Sequence, residues 1–307
     1  MNRIKLAIVG MGKIARDQHI PAIAANHAFE LVAVASPNNR LEGVANYSSL
    51  AELLDAVPSV EAVSICTPPQ VRYDITRLAL RRGKHVMIEK PPGATLSEVA
   101  SLVEIADRHR VSLFATWHSR AAAGVEPARD WLSPRAIRIA HIHWKEDVRV
   151  WHPGQTWIWR AGGFGVFDPG INALSIITRI IPVELVLKDA ELFYPSNCET
   201  PIRANLLLDA QGASIRADFD FLQTGPQTWD IDVETDEGRL VLARGGSALY
   251  VNGNSIVVGG DREYPRLYAE FETLVRERRS NVDIAPLRLV ADAFLTGRRV
   301  NVAPFVE

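Results

Sequence analysis

The sequence predicts an α/β protein: an N-terminal doubly wound parallel sheet, followed by a C-terminal α+β domain with a large, mainly antiparallel open sheet. Three observations predict it. Short apolar runs without polar alternation recur through the first third, as strands buried on both faces of a parallel sheet do. The first run opens into a glycine-rich loop, Gly10-Met11-Gly12. Beyond residue 120 the pattern turns to alternation punctuated by hairpin-type turns.

The parallel strands are expected at 5–9, 29–35, 60–66, 85–88 and 112–115. Helical patterns lie between them, at 49–57, 71–82 and 95–109. Thr95 and Glu98 form a capping box at the start of the last, and Gly83 stands where a helix-ending glycine belongs. Repeated β-α-β units imply right-handed crossovers. A helix is then expected over 122–132, and strands at 137–144, 186–193, 202–209, 214–221, 229–234 and 240–243. Asp209-Ala210-Gln211-Gly212 and Asp236-Glu237-Gly238 read as hairpin turns. Helices near 265–278 and 286–295 close the chain.

A chain of 307 residues exceeds what one core usually serves. We expect a dinucleotide-binding domain over 1–119 and a substrate and assembly domain over 120–307, with the last helix free to pack back on the first domain. A formal net charge of −2 without a basic tract argues against nucleic acid or a charged membrane surface as partner. Cys66 and Cys198 form no metal motif and no disulfide framework. With no leader pattern and no apolar stretch long enough for a bilayer, the expected compartment is the cytoplasm.

Gly10-Met11-Gly12-Lys13-Ile14-Ala15 is the G-x-G-x-x-A variant of the dinucleotide fingerprint. Gly10 permits the tight turn, Gly12 lets the main chain approach a pyrophosphate, and Ala15 allows close helix–strand packing. The helix start supplies free N–H groups to the phosphates, so Gly10, Gly12, Lys13 and Ile14 are cofactor-binding candidates in a Rossmann-type domain. After the second strand no acidic residue stands ready for the ribose; Ser36 is there instead, with Arg40 beyond. Ser36 can bond a ribose hydroxyl or a 2′-phosphate, so NAD and NADP both remain open.

Glu89-Lys90-Pro91 ends the fourth apolar run, where open α/β sheets bind ligands. Pro91 keeps Lys90 out of the helical region. A lysine there can donate to a carbonyl or hydroxyl oxygen beside a nicotinamide and can pass a proton.

These motifs together resemble the glucose–fructose oxidoreductase and inositol dehydrogenase superfamily: Gly10-x-Gly12-x-x-Ala15, Thr67-Pro68-Pro69, Gly83-Lys84-His85-Val86 and Glu89-Lys90-Pro91, in that order. The resemblance covers the whole chain. It implies that Thr67, Pro68, Glu89 and Lys90 line the cofactor, that Lys90 touches the reacting sugar hydroxyl, and that the second domain's sheet makes a homodimer or higher homo-oligomer. Thr116 to Arg120, Trp144 to Asp147, Trp151 to Gln155 and Gly165 to Asn172 resemble one branch, the bacterial L-arabinose and D-galactose 1-dehydrogenases. That branch oxidises an aldopyranose at its anomeric carbon to an aldonolactone. Asn172 stands where the wider family usually has histidine, which brings Asp168 and Lys90 forward as the acid–base groups.

Asp168 and Asn172 are four residues apart on a helix and share a face; with Lys90 they are expected to meet one sugar oxygen. Asp168, followed by Pro169, also reads as a helix N-cap. His118, Glu146 and Asn172 are candidates for reading sugar hydroxyls, and Trp151 and Trp157 for apolar walls. His141 and His143 share a strand face without further ligands at zinc spacing, so no metal is expected. Two other readings exist: another sugar or polyol dehydrogenase of the family, and a non-catalytic NADP-binding redox sensor. A biliverdin-type reductase would leave the tryptophan cluster unexplained.

Overall fold

The structure, a computed structural model, describes residues 2–260 and 262–307. The chain forms two compact units. The first comprises Met1–His118 and Glu263–Ile284; the second comprises Ser119–Arg262 and Ala285–Glu307.

The first unit is built on six parallel strands: β1 (Ile4–Val9), β2 (Phe29–Ala35), β3 (Ala45–Tyr47), β4 (Ala62–Ile65), β5 (His85–Glu89) and β6 (Leu113–Thr116), in the order β3-β2-β1-β4-β5-β6. The order reverses beside β1, which gives the doubly wound topology and its switch point at the ends of β1 and β4. Five of the strands lie on the expected apolar runs. β3 does not, because it is three residues long and largely solvent-facing. The expected third strand starts at Ala62 rather than Val60, since the Val60 N–H closes a turn onto the Val57 carbonyl at 3.2 Å. The helix Leu96–His109 carries the capping box between Thr95 and Glu98. Gly83 takes φ +69° after the helix Pro69–Arg81.

The helical stretch after the glycine loop contains a π-helical turn, Ala15–His19; such bulges often mark functional positions. It turns His19 into the interior, where its exposure is 0%. The helix Glu263–Glu277 belongs to this unit. Tyr264, Leu267, Tyr268 and Phe271 pack there with Phe29, Met87 and Phe114.

The second unit carries β7 (Ile137–Lys145), β8 (Val186–Pro195), β9 (Arg203–Ala210), β10 (Ala213–Asp220), β11 (Thr228–Thr235), β12 (Gly238–Ala243), β13 (Ala248–Val251), β14 (Asn254–Val258) and β15 (Arg298–Val302). They pair in the order β14-β13-β12-β11-β7-β10-β9-β8-β15. The sheet is mostly antiparallel, with parallel pairs at β7–β10 and β8–β15. Ala140, Ile142 and Trp144 on β7 and Ile215, Ala217 and Phe219 on β10 are buried, while the residues between them face outward. Alternation of this kind is what one covered face and one open face produce. The helices Val125–Leu132, Phe167–Ile180 and Ala285–Thr296 lie on the covered face. The edge strands β14 and β15, and β13 beside β14, escape sequence reading because they are short, and β14 and β15 are largely exposed, without an apolar period. Among the described residues no helix is long and apolar enough to cross a membrane.

Candidate functional site

At the end of β1, Gly10 adopts φ +91°. A Cβ there would lie 2.9 Å from the carbonyl carbon of Cys66, so only glycine lets the loop cross β4. Gly12 differs: it is exposed and a Cβ would meet nothing within 4 Å. Open space beside a helix start is what a pyrophosphate needs. Thr67 follows β4, and its buried Oγ1 has no hydrogen-bond partner among the described residues. These features fit a dinucleotide. Ile14 is half-buried, Pro68 is exposed, and Lys13 is exposed and paired with Asp17. The Ser36 N–H donates to the Tyr47 carbonyl at 2.9 Å, and its Oγ accepts the Asn39 N–H at 3.3 Å.

Lys90 is half-buried at the end of β5, after a Glu89 that is only 4% exposed. The Glu89 carboxylate points into the first unit. Its Oε1 accepts from the Tyr264 hydroxyl at 2.9 Å and lies 2.9 Å from His19 Nε2. His19 Nδ1 lies 2.8 Å from the Tyr268 hydroxyl, which is 3.0 Å from Ser64 Oγ. The Lys90 N–H donates to Glu89 Oε2 at 3.2 Å. Burial pushes the Glu89 carboxyl up, but the hydrogen bond and charge of His19, with His118 and Tyr264, bring it down to about 2. Burial likewise pushes His19 down; Cys66, Tyr268 and Glu89 outweigh it, and the imidazole lies well above its usual value. Both shifts favour an imidazolium beside a carboxylate. What resembles a cofactor contact in the motif is, at the level of the Glu89 side chain, an internal strut.

His118 sits 2.5 Å from Glu263 Oε2 and stacks on Tyr264. Burial lowers its pKa, but the neighbouring Glu263 and Glu89 carboxylates raise it overall, against the charge of Lys90. His118, Lys90 and Glu89 are thus close electrostatic neighbours at one end of the parallel sheet.

In the second unit Glu146 follows β7 and is 2% exposed. Its Oε2 accepts from the Trp229 indole N–H at 2.9 Å, and its Oε1 lies 2.9 Å from His152 Nε2. The other ring nitrogen of His152 lies 3.7 Å from Asp168 Oδ2. Carboxylate, imidazole and carboxylate stand in a row, with the His152 ring against Phe221. Trp151, 39% exposed, tilts onto Trp229 with ring centres 4.8 Å apart. Trp157 and Asn172 are half-buried, and the Asn172 carbonyl accepts from Ser175 Oγ at 2.7 Å. Asp168 is not the N-cap. The helix runs Phe167–Ile180 with Val166 at its cap, because Gly165 at φ +53° turns the chain early and its carbonyl receives the Asp168 N–H at 2.9 Å. The carboxylate is thereby left to face His152.

His152 and Trp229 carry no role in the sequence reading. The Trp151-His152-Pro153 segment was the only signal for the first; the second lies on a strand 83 residues from its partner Glu146. His143 meets Asp218 at 3.4 Å and stacks on His141. Among the described residues no group of three or more His, Cys, Asp or Glu side chains is arranged to hold a metal.

Over 308 residues, spanning all of both chains, the sequence is 46% identical to a galactose 1-dehydrogenase of Pseudomonas fluorescens. Residues 4–116 match the oxidoreductase family with an NAD-binding Rossmann fold, GFO_IDH_MocA. The chain belongs to this family. A crystal structure of a D-galactose-1-dehydrogenase protein from Rhizobium etli superposes with a TM-score of 0.96 at 52% identity, covering 100% of this chain and 99% of that one. KijD10, a 3-ketoreductase from Actinomadura kijaniata solved with NADP and TDP-benzene, shares the fold at a TM-score of 0.86 and 19% identity, covering 98% and 100%. As a GFO_IDH_MocA member the protein is an oxidoreductase, and its cofactor is a nicotinamide dinucleotide.

Proposed function

We propose that this GFO_IDH_MocA protein is an aldose 1-dehydrogenase that oxidises the C1 hydroxyl of D-galactose or L-arabinose to the aldonolactone with NAD or NADP. The observation that carries the reading is the row of buried Glu146, half-buried His152 and buried Asp168, in a chain that matches galactose 1-dehydrogenases from end to end. Indole rings beside fixed carboxylates suit a sugar, which offers an apolar face and a ring of hydroxyls.

When bound, the dinucleotide accepts the hydride leaving C1. The chain does the rest. Gly10, Gly12 and the following helix start bind the pyrophosphate, with Lys13, Ile14, Ser36, Thr67 and Pro68 along the cofactor. Lys90 donates to the C1 oxygen. The proton leaving that oxygen passes to one of the two candidate acid–base groups, Lys90 or Asp168, the latter backed by His152. Glu146, Asn172 and His118 read ring hydroxyls, and Trp151, Trp157 and Trp229 supply the apolar wall. The open sheet face, with half-exposed Phe193 and Leu207 among its charges, supports homo-oligomerisation, read by light scattering. The two free cysteines, Cys66 and Cys198, are in keeping with a cytoplasmic enzyme.

The test mixes the protein with NAD+ or NADP+ and a panel of aldoses and follows absorbance of the reduced nicotinamide. Galactose and arabinose are expected to react, with Lys90→Ala and Asp168→Asn each slowing turnover by about 10²–10⁴-fold. Dinucleotide binding without reaction on any aldose overturns the reading in favour of a redox sensor.

A further inference from the structure

Arg72 is 3% exposed, although arginine is seldom fully buried. A guanidinium presents five N–H donors in a rigid plane, and burying it requires acceptors. Those found here include main-chain carbonyls from two strand-end loops. Nε donates to the Thr67 carbonyl at 3.1 Å, and Nη2 donates to the same oxygen. Nη1 donates to the Glu89 carbonyl at 2.7 Å and also to the Pro91 carbonyl.

Glu89 and Pro91 are the residues immediately before and after Lys90. One nitrogen of Arg72 thus holds the main chain on both sides of the lysine, while the Glu89 carboxylate holds the Lys90 N–H between them at 3.2 Å. The same guanidinium ties this loop to Thr67, whose hydroxyl belongs to the candidate cofactor groups. We infer that Arg72 is a positioning residue for Lys90: its clamp on the carbonyls flanking Lys90 and on Thr67 sets where the ammonium stands relative to the dinucleotide. The inference rests on the proposed role of Lys90. A planar, charge-assisted fork is suited to the task, and a displacement of about 1 Å at a reacting group costs on the order of 100-fold in rate.

The test is a double-mutant cycle in the full-length protein with galactose and NAD(P)+: wild type, Arg72→Lys, Lys90→Ala and the double variant. Lysine keeps the buried charge and an alkyl stem but gathers its three donors on one nitrogen, without the planar fork that spans the two loops. Arg72→Lys is expected to lower kcat about 10- to 100-fold, with dinucleotide Kd by fluorescence moving less than about threefold, since the phosphate loop is untouched. In the Lys90→Ala background the same change is expected to alter kcat by no more than about twofold, the limit set by ordinary additivity. Hydrogen exchange at the Lys90 amide, measured without substrate, is expected to quicken about tenfold or more in Arg72→Lys, because the loop opens locally. Should that variant fold poorly, Arg72→Gln, which keeps two donors without a charge, takes its place in the cycle.

An equal loss of kcat in both backgrounds, or unchanged exchange at Lys90, overturns the positioning role and leaves the proposed function standing. Wild-type turnover in Lys90→Ala overturns the role of Lys90 and the positioning role with it. The three results are distinguishable in one experiment.

Discussion

The imidazole of His19 and the carboxylate of Glu89 form an ion pair 2.9 Å long in the interior of the first unit, with side-chain exposures of 1% and 5%. The π-helical turn that follows the glycine loop delivers one partner, and the end of the lysine-bearing strand delivers the other. Removing one member of a buried pair leaves an uncompensated charge, at a cost of roughly 3–5 kcal/mol.

The pair has a defined pH window. Glu89 is depressed to about 2 from an ordinary 4.5, so its contribution is present above 4.5 and is lost as pH falls toward 2. His19 is raised above its ordinary 6.5, so its contribution is complete below 6.5 and is lost as pH rises through the folded value. Tyr264, Tyr268 and Cys66 surround the pair and His118 lies close to it. Urea unfolding of the wild type is expected to show this contribution at its maximum between these two limits. His19→Gln should lower stability by about 3–5 kcal/mol in that window and make the alkaline decline shallower, leaving the share that the raised His118 contributes. A variant whose stability curve runs parallel to the wild type would show that His19 is neutral in the folded protein.

The two glycines of the fingerprint make opposite predictions. Gly10→Ala puts a methyl 2.9–3.0 Å from the Cys66 carbonyl and the Thr67 nitrogen at a positive φ. It should destabilise the apo protein by about 1–3 kcal/mol and weaken dinucleotide binding as well. Gly12→Ala meets nothing, so it should leave apo stability unchanged while its methyl obstructs the pyrophosphate. Thermal unfolding with and without NADP+ separates them: Gly10→Ala lowers the midpoint in both conditions, Gly12→Ala only removes the shift caused by ligand. A loss of apo stability in Gly12→Ala would contradict the open space seen beside it.

The elements that sequence alone made legible are those encoded by neighbours in the chain. Gly10-x-Gly12-x-x-Ala15, the Thr95–Glu98 box and the Gly212 hairpin each act within a few residues, and each stands where its pattern says. The sites that escaped are joined across the chain. Tyr264 reaches Glu89 over 175 residues and Trp229 reaches Glu146 over 83; neither pairing leaves a period or spacing to read. Arg72 reads as one more basic residue on an amphipathic helix until its carbonyl partners are known. Asp168, followed by Pro169, also reads as a helix cap because Asp-Pro is a common start, but the turn at Gly165 moves the start ahead of it. His152 stands five residues beyond Asp147, and nothing in that spacing says that it lies between Glu146 and Asp168.

Glu146 depends on Trp229 for one of its two oxygens. Trp229→Phe keeps an aromatic ring, though a smaller one, to pack against Trp144 and Trp151 but deletes the N–H from which the carboxylate accepts. Loss of a hydrogen bond to a buried charge costs about 1.5–3 kcal/mol. The expected result is a KM for galactose raised by about one to two orders of magnitude with dinucleotide Kd unchanged. A KM equal to that of the wild type would remove Glu146 from the set of groups that read the sugar.

Cofactor choice turns on the end of β2. Ser36 is held by its N–H on the Tyr47 carbonyl, so a side chain at this position has a fixed origin. Arg40 follows in the same loop, exposed, with its carbonyl 3.4 Å from the Arg16 guanidinium. This end of the strand therefore carries the cationic side chains of Arg16 and Arg40, with Ser36 rather than a carboxylate directly after the strand. A carboxylate here accepts from a ribose 2′-hydroxyl and repels a 2′-phosphate. Ser36→Asp is expected to raise the KM for NADP+ about 10- to 100-fold, since like charges brought together cost several kcal/mol at an interface, while the KM for NAD+ holds or falls. Arg40→Ala should weaken NADP+ alone, and by less, because the exposed guanidinium acts through solvent. Equal losses for both dinucleotides in Ser36→Asp would mean that this loop does not meet the adenosine ribose, and that the discriminating contact comes from elsewhere in the first unit.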